Sequence, residues 1–526
     1  MGGVINVITK KGDGELATML KGEVGSFNAS KGEVSSGGVV NEQFRYDVTA
    51  SYEETGDYDD PKFGTVYNSS ERKKNIGGNL VFTPSANHEF RVGGNYADLF
   101  GKYPSWLDGA YSEYDPDADQ NFDKSHGYTD FEYNGHFLDD TLHYRAQVYY
   151  LWDRNHWNSG PDGYPESEQS KYTDKTVGTD QQLVWTINDQ NKLLGGFTLE
   201  QLKKESEGVS GGEPSTPYTP NLKYKTQAIY LEDTASFLDD RLNVVLAGRY
   251  DRFDSETLPP ETGELDDFNK RNEVYDHFSP KLAVGYKFMG DTLRVRANVG
   301  SGFKTPSADQ LSADYVQPAT GVHYLGNPEL EPETSWTYDI GFDVFQDNLT
   351  LNLDYFYTDF KDKIVSTSEI VDGEKISRYA NRGDAVIAGF DINLQWRQQN
   401  LFHSPVDATF WSNATINTQK EDKTTGEDLQ YLSDYEWKAG VIANYERFTG
   451  QLNFVLVGPQ MITNYDTYED EEKGSFDFWD LTGLYRIGND WEITASILNL
   501  FNQDVEWVRG YIMPERNYRV SLAYRF

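Results

Sequence analysis

The chain has no cysteine and no long uninterrupted run of apolar residues. Without cysteine there is no disulfide framework, although this absence fits an oxidising compartment as well as a reducing one. Without a stretch of about 18 or more uncharged apolar residues, a transmembrane helix is excluded. The first residues also lack the basic-then-apolar pattern of a secretory signal peptide.

Positive charge is scarce as well. The 47 Lys and Arg residues are outnumbered by 85 Asp and Glu residues, which gives a formal net charge of −38. Nucleic acid is not an expected partner, because phosphate binding requires clustered Lys and Arg. We expect most of the acidic side chains to solvate exposed loops, and the alternative is that divalent cations bridge acidic loops.

Motifs of catalysis are missing too. The eight histidines and the many carboxylates are scattered, and no P-loop, HExxH, CxxC or nucleophile elbow is present. These motifs are the usual sequence signs of nucleotide, zinc, redox and acyl-transfer chemistry. We therefore expect no enzyme activity and no required cofactor.

Aromatic residues and glycine are abundant instead. The 526 residues include 47 Gly, 36 Tyr, 29 Phe and 11 Trp, while hydrophobic residues reach only 37% and the mean hydropathy is −0.69. A soluble chain of this size normally carries more aliphatic residues to fill several cores. A β-barrel with a watery interior needs apolar residues only on its outside, and its Tyr and Trp suit the two membrane interfaces.

Period-two alternation is the dominant pattern. Apolar residues occupy almost every second position in 349–357, 293–299, 242–250 and 437–445, and most of the residues between them are charged or polar. Such alternation predicts strands that are apolar on one face only. Charged residues cannot face lipid, so in a membrane they must face a polar lumen. Alternation alone does not separate a barrel from a soluble sandwich.

The connections between strands favour the barrel. We count about 22 candidate strands, most near the 9–11 residues that cross a bilayer at a tilt. Short links alternate with long polar stretches. The short links include 138–141, 188–191, 238–241, 289–292 and 488–490, and the long stretches include 101–127, 155–175, 203–223, 254–275 and 304–334. This rhythm predicts an all-β, transmembrane antiparallel barrel of about 22 strands with short periplasmic turns and long extracellular loops.

The last ten residues alternate without a break up to the terminal aromatic residue. One face carries Arg519, Ser521 and Arg525, and the other carries Tyr518, Val520, Leu522, Tyr524 and Phe526. The second set resembles the C-terminal signal that the outer-membrane barrel assembly machinery reads. An ordinary edge strand at a chain end is the alternative.

Four segments in order resemble TonB-dependent outer-membrane receptors. GGVINVITKK at 2–11 is similar to the last strand of the plug of this family. GFKTPSADQL with NPELEPETSWTYDIGFD, YANRGDAVIAGFDINL, and the final hairpin are similar to barrel motifs; they lie at 302–311 with 327–343, 379–394, and 497–526. The ending departs from the family's usual Pro-Gly-Arg at Pro514-Glu515-Arg516. The resemblance implies a plug remnant at 1–12 and a transmembrane barrel at 13–526. It also leads us to expect a fragment, or a plug that another chain supplies.

The resemblance further implies active import of a scarce, large solute across the outer membrane of a Gram-negative bacterium. Loops would capture a metal chelate, and the TonB complex would pull on the plug. The other expected partners are outer-membrane lipid, lipopolysaccharide and the barrel assembly machinery. We expect a ferric siderophore as the ligand, with cobalamin or haem as alternatives. A passive porin-like channel is the alternative from another class, but porins usually have 16–18 strands and no plug remnant.

Aromatic residues in the long stretches are the candidate ligand-binding residues. They could grip a flat or aromatic chelate, or they could anchor the barrel at the membrane interface. The candidates are Tyr103, Trp106, Tyr111, Trp157, Tyr324 and Trp507. His323 lies between the FKTP and NPEL motifs, where haem receptors of the family carry an axial histidine. A loop histidine without a ligand is the alternative.

Asp115, Asp117 and Asp119 place carboxylates at alternate positions, as the beginning of a calcium-binding loop does. Gln120 stands where an EF-hand needs Gly, and His126 stands where it needs Glu. An EF-hand is therefore excluded. A looser structural Ca²⁺ site at the three aspartates remains as an expectation.

Overall fold

The computed structural model describes residues 9–107, 113–260, 271–316, 322–371, 374–464 and 469–526. Within this part of the chain, 22 antiparallel strands form one closed sheet. We number them β1–β22: Ala17–Gly25, Ala29–Val39, Phe44–Thr55, Glu71–Ser85, His88–Lys102, Asn121–Phe137, Leu142–Asn158, Gln169–Asn188, Asn191–Ser210, Asn221–Phe237, Leu242–Leu258, Asn272–Phe288, Leu293–Lys304, Glu333–Gln346, Leu349–Val371, Glu374–Gln398, Asp407–Asp422, Tyr435–Tyr445, Phe448–Val457, Phe476–Ile487, Trp491–Leu498 and Asn517–Arg525.

Each strand pairs with its neighbours along the chain, and the last strand pairs with the first. The register of the closing pair runs from Met19 opposite Arg525 to Gly25 opposite Arg519. Closure removes the exposed edges that an open sheet would present to other chains. The predicted all-β antiparallel barrel of about 22 strands is confirmed.

The two ends of the barrel differ in the length of their connections. Even-to-odd connections are mostly tight turns, including the predicted turns at 138–141 and 238–241, whereas most odd-to-even connections are long. We name the latter L1–L11: 26–28, 56–70, 103–120, 159–168, 211–220, 259–271, 305–332, 372–373, 423–434, 458–475 and 499–516. The alternation of short and long connections is confirmed.

Many strands are longer than the sequence predicted. β15 has 23 residues and β16 has 25, and several others have 15 to 20. The predicted stretches 101–127 and 155–175 therefore shrink to L3 and L4. The strands continue past the apolar belt because backbone hydrogen bonding persists in water after the alternation of side chains has ended.

Short strands and helices lie within the connections. One α-helix and two 3₁₀-helices lie among the described residues, at Ala308–Ser312, Pro165–Ser167 and Leu401–His403. The short strands are Tyr58–Asp60, Gly64–Val66, Glu213–Ser215, Asp314–Val316, His323–Leu325, Gln460–Asn464, Glu469–Lys473, Glu506–Val508 and Tyr511–Ile512. No helix in the described ranges is long and apolar enough to cross a membrane.

The two faces of each strand differ in chemistry. On β6, Phe131 and Phe137 are exposed on the outer surface, while Asp130 and Glu132 point the other way and are buried. The same division on β22 leaves Val520 exposed. Large apolar side chains thus cover the outside, and polar side chains line the lumen, as a membrane barrel requires.

Ion pairs connect the polar side chains across the lumen face. The Arg91 guanidinium binds Asp130 and lies 3.4 Å from Glu132, and Arg145 reaches Glu132 at 2.9 Å. Elsewhere on the lumen face, the fully buried Asp343 carboxylate accepts a hydrogen bond from Arg294. These pairs satisfy charges that could not be placed on the outer surface.

Residues 9–12 lie on the lumen side of β3–β6. The Asn79 amide donates to the Thr9 hydroxyl at 3.1 Å and to the Lys10 carbonyl at 2.7 Å. Lys11 pairs with Glu89 at 3.0 Å and approaches Glu132 at 3.6 Å. The chain therefore enters β1 from inside the barrel. Residues 1–8, which hold most of the predicted plug strand, lie outside the described residues.

Candidate functional site

The long loops and the outer ends of the strands surround the mouth of the lumen. β6 and β7 place two aromatic rings side by side there, because Trp157 is directly opposite Phe122 in the strand register. The sequence predicted Trp157 as a candidate residue but did not predict Phe122. Both residues share the lumen face with Asp130, eight positions from Phe122 along β6. The alternation of strand faces therefore turns both rings inward.

Tyr103 completes this group, which we call the mouth cluster: Tyr103, Phe122 and Trp157. The ring centroid of Trp157 lies 4.9 Å from that of Phe122 and 5.6 Å from that of Tyr103. The Lys124 ammonium lies 4.5 Å from the Trp157 ring and 4.9 Å from the Phe122 ring. Such spacings suit ring stacking and cation–π attraction. Burial raises the pKa of Tyr103, so its hydroxyl stays protonated.

Trp106 belongs to a second group, which connects three loops. It stacks on Tyr114 with a centroid distance of 3.9 Å and meets Phe63 of L2 edge-on at 5.6 Å. Its indole N–H donates to the Gly510 carbonyl of L11 at 3.2 Å. Burial, and then the neighbouring Asp60 carboxylate, raise the pKa of Tyr114. Trp106 therefore holds L2, L3 and L11 together.

Trp507 lies in the L11 hairpin whose turn accepts the hydrogen bond from Trp106. Its ring meets Phe476 edge-on at 4.9 Å, and 38% of the residue is exposed. Tyr58 of L2 also donates to this hairpin, at the Ile512 carbonyl, at 2.9 Å. Burial, and then Asp60, raise the pKa of Tyr58 to about 12. Trp507 is thus joined to the Trp106 group through its hairpin.

Tyr324 and His323 of L7 belong to a third group of contacting side chains. Tyr324 stacks on Tyr315 at 5.1 Å across a short hairpin, and Tyr315 meets Tyr218 of L5 at 4.9 Å. His323 Nε2 lies 2.7 Å from the Asp314 carboxylate. Together with residues of L4 and L5, His323 and Tyr315 line a cavity of about 400 Å³.

The Asp115 and Asp119 carboxylates each accept a hydrogen bond from a backbone N–H group. Asp115 accepts from the Asp117 N–H at 3.0 Å, and Asp119 accepts from the Gly163 N–H of L4 at 2.9 Å. Asp162 lies beside Asp115. Partial desolvation raises the pKa of Asp162, and the neighbouring Asp115 carboxyl raises it further, whereas the hydrogen bond from Gln120 lowers it. In the described ranges, these aspartates do not form a three-ligand group with donor atoms within 4.8 Å. The calcium expectation stays a prediction.

Sequence reasoning missed several ring partners in the loops and at the strand ends. Phe63, Tyr114, Phe122, Tyr218 and Tyr315 are all loop or strand-end aromatics, and a count of rings could have found them, but not their pairings. Tyr111 lies outside the described residues. A larger groove of about 630 Å³, lined by Leu183, Trp185, Phe197 and Ile229 among others, lies on the outer apolar surface. Lipid rather than a polar ligand fits there.

The C-terminal residues occupy the predicted faces. Tyr518, Val520, Leu522 and Phe526 are exposed by 46–63% on the outer surface, and Tyr524 stacks on Trp491 with centroids 4.4 Å apart. Ser521, on the opposite face, is 5% exposed. The face assignment of the last strand is confirmed, and its role as an assembly signal stays a prediction.

A family model described as "TonB dependent receptor-like, beta-barrel" matches residues 36–500. The chain belongs to this family. It is therefore an outer-membrane β-barrel, whose short turns face the periplasm and whose long connections, in their described residues, lie at the outward end. The predicted family and location are confirmed.

The relatives are receptors and transporters. The chain is 24% identical over 65% of its length to the ferric enterobactin receptor PirA of Pseudomonas aeruginosa, and 23% identical over 64% to the ferrienterobactin receptor of Escherichia coli. These matches cover 46% and 43% of the relatives, so the chain spans less than half of the length of these siderophore receptors. The vitamin B12 transporter BtuB of Vibrio cholerae is 21% identical, with 100% of this chain and 76% of BtuB covered.

Solved structures share the fold. The copper transporter OprC superposes with a TM-score of 0.78 at 15% identity, covering 98% of this chain and 84% of OprC. A variant of the ferric enterobactin receptor from Pseudomonas aeruginosa, solved with enterobactin, gives a TM-score of 0.78 at 17% identity, covering 100% of this chain and 83% of the receptor. At these identities the likeness shows the fold alone.

Proposed function

We propose that this barrel takes up a ferric siderophore and that a plug domain couples uptake to the TonB complex. The mouth cluster with Lys124 is the observation that carries the proposal. It presents three aromatic rings and one ammonium group on the lumen face at the outer end of β5–β7. The ferric enterobactin receptors among the relatives support the same ligand class.

The chemistry of the mouth cluster fits a chelate that has flat rings and negative charge. Aromatic ligand groups can stack on Trp157 and Phe122, and Lys124 can attract the anionic oxygens around the iron. The formal charge of the chain, −38, opposes highly anionic ligands at long range. Lys124 therefore has to act at short distance, where it is least screened.

Two other ligands and one function without a ligand compete with this assignment. Cobalamin is favoured by the match to BtuB, which extends over the whole chain. Haem is favoured by His323. Its Nε2 lies 2.7 Å from the Asp314 carboxylate, so Nδ1 is the ring nitrogen that would bind the haem iron. A passive channel would need no ligand at the mouth cluster.

Equilibrium binding to the detergent-purified chain tests these assignments. The probes are iron-labelled ferric enterobactin, cyanocobalamin and haemin, each measured by dialysis. We expect ferric enterobactin to bind, and Trp157→Ala or Tyr103→Ala to weaken it by about 1–3 kcal/mol, the range for a buried aromatic anchor. Trp336→Ala is the matched control, because Trp336 is 44% exposed on the outer surface.

The alternatives give different results. Selective binding of haemin that His323→Ala abolishes would assign the site to haem, and selective binding of cyanocobalamin would assign it to cobalamin. If none of the three chelates binds and the chain conducts ions in a planar bilayer, the passive channel replaces the receptor. Equal ferric enterobactin affinity for wild type and both mouth-cluster variants would remove this cluster from the site.

A further inference from the structure

The turn between β6 and β7 brings two histidines and an aspartate together. His136 and His143 are directly opposite each other in the strand register, and their ring centroids lie 4.2 Å apart. The Asp140 Oδ1 atom lies 2.6 Å from His136 Nδ1 and 3.2 Å from His143 Nε2. The three donor atoms all lie within 4.8 Å of one another.

This histidine pair lies on the lumen face at the periplasmic rim of the barrel. His136 follows Glu132 at an even spacing along β6, and His143 precedes Arg145 at an even spacing along β7. Glu132 and Arg145 form an ion pair of 2.9 Å on the lumen face. Since side chains two positions apart share a strand face, both imidazoles point toward the exit of the lumen.

The same turn occurs a second time without histidine. Leu138-Asp139-Asp140 has φ values of 52°, 52° and 69°, and Leu238-Asp239-Asp240, between β10 and β11, has 56°, 55° and 61°. At the positions of His136 and His143, the second turn carries Ser236 and Asn243, whose side chains are bonded at 2.8 Å. The backbone of this turn therefore forms without imidazoles, which leaves the histidine pair without a required structural role.

We propose that His136, Asp140 and His143 bind one divalent transition-metal ion, Zn²⁺ or Cu²⁺, at the periplasmic rim. Two imidazole nitrogens and one carboxylate oxygen suit these borderline ions better than Ca²⁺ or Mg²⁺. Bond lengths near 2.0–2.2 Å place tetrahedral donor atoms roughly 3.4 Å apart. The two present oxygen–nitrogen distances, 2.6 and 3.2 Å, differ from this value by less than about 1 Å. The partly exposed rim supplies water for the remaining coordination position.

The test uses the full chain without an affinity tag, purified in detergent and stripped with a chelator. Zn²⁺ binding is measured by calorimetry, and Cu²⁺ coordination is measured by electron paramagnetic resonance. We expect about one ion per chain and hyperfine coupling to two nitrogens. The double variant His136→Ser with His143→Asn copies the second turn, and it should weaken binding at least about tenfold.

Two further variants make the test specific. Ser236→His with Asn243→His should create a second ion site at the β10–β11 turn, because Asp240 is already in place. His403→Asn removes a histidine from another turn at the same end of the barrel and should leave binding unchanged. Heat-modifiable gel migration confirms that each variant is folded. Unchanged affinity in the His136→Ser, His143→Asn variant, or single-nitrogen coupling in the wild type, would overturn the proposal, whichever chelate the mouth cluster binds.

Discussion

Phe526 and Thr18 exchange a pair of backbone hydrogen bonds across the seam of the barrel. The Thr18 N–H donates to the Phe526 carbonyl at 2.8 Å, and the Phe526 N–H donates to the Thr18 carbonyl at 2.9 Å. The Phe526 ring, 63% exposed on the outer surface, also stacks on Tyr524 with centroids 5.4 Å apart. The last residue of the chain thus contributes both to closure and to the outer apolar face.

Deleting Phe526 should reduce the amount of folded barrel in the outer membrane several-fold. The deletion removes both seam hydrogen bonds and the last ring of the outward row. Arg519→Ala, on the lumen face of the same strand, is the control and should have little effect. The measurement is the heat-modifiable band in outer-membrane fractions. Equal bands for the two variants would contradict the proposed assembly signal.

Trypsin added to intact cells should cut the long connections and spare the short ones. Lys62 in L2 and Lys423 in L9 lie at the outward end, whereas Arg241 lies in a tight periplasmic turn. Mass spectrometry of the fragments from chain exported to the outer membrane gives the order of cleavage. Cleavage after Arg241 before either lysine would mean that the barrel is inserted in the opposite direction.

Asp343→Ala should destabilise the barrel. The Asp343 carboxylate is fully buried and accepts from Arg294 at 2.6 Å, from Arg296 at 3.1 Å and from Asn352 at 2.7 Å. Breaking a buried ion pair costs about 3–5 kcal/mol. The arginines are more than a third exposed, so water can replace part of the loss, and we expect about 1–3 kcal/mol.

Urea unfolding in detergent measures the effect of Asp343→Ala. Lys438→Ala is the matched control, because its 2.7 Å pair with Glu436 is exposed to solvent. An exposed pair contributes about 0–1 kcal/mol. If both variants unfold at the same urea concentration, the lumen network around Asp343 does not stabilise the barrel.

Trp106→Ala should loosen the L11 hairpin although the two are 404 positions apart in sequence. The change removes the hydrogen bond to Gly510 and the stacking on Tyr114. Hydrogen exchange of residues 506–512 should become faster by at least about fivefold, which corresponds to roughly 1 kcal/mol. Trp106→Phe keeps a ring without the indole N–H and should give an intermediate rate. Unchanged exchange in Trp106→Ala would show that other contacts hold the hairpin.

The sequence predicted local structure well because apolar and polar residues alternate along each strand and so distinguish its outer face from its lumen face. In 349–357 the apolar residues mark the outer surface and the polar ones mark the lumen, and the tight turn at 238–241 marks a strand reversal. Counting strands between such turns predicted both the barrel and its strand number. The strand ends were less predictable, since paired backbone extends beyond the alternating residues, as in β16 with 25 residues.

The arrangement of the candidate site was decided by tertiary structure. Phe122 and Trp157 are separate aromatics in the sequence, and only the register of β6 and β7 places them side by side. Trp106 reaches Gly510 only because the barrel closes and brings L3 to L11. Alternation specifies which face a side chain occupies, but distances between loops depend on closure, register and loop conformation, for which a single strand carries no signal.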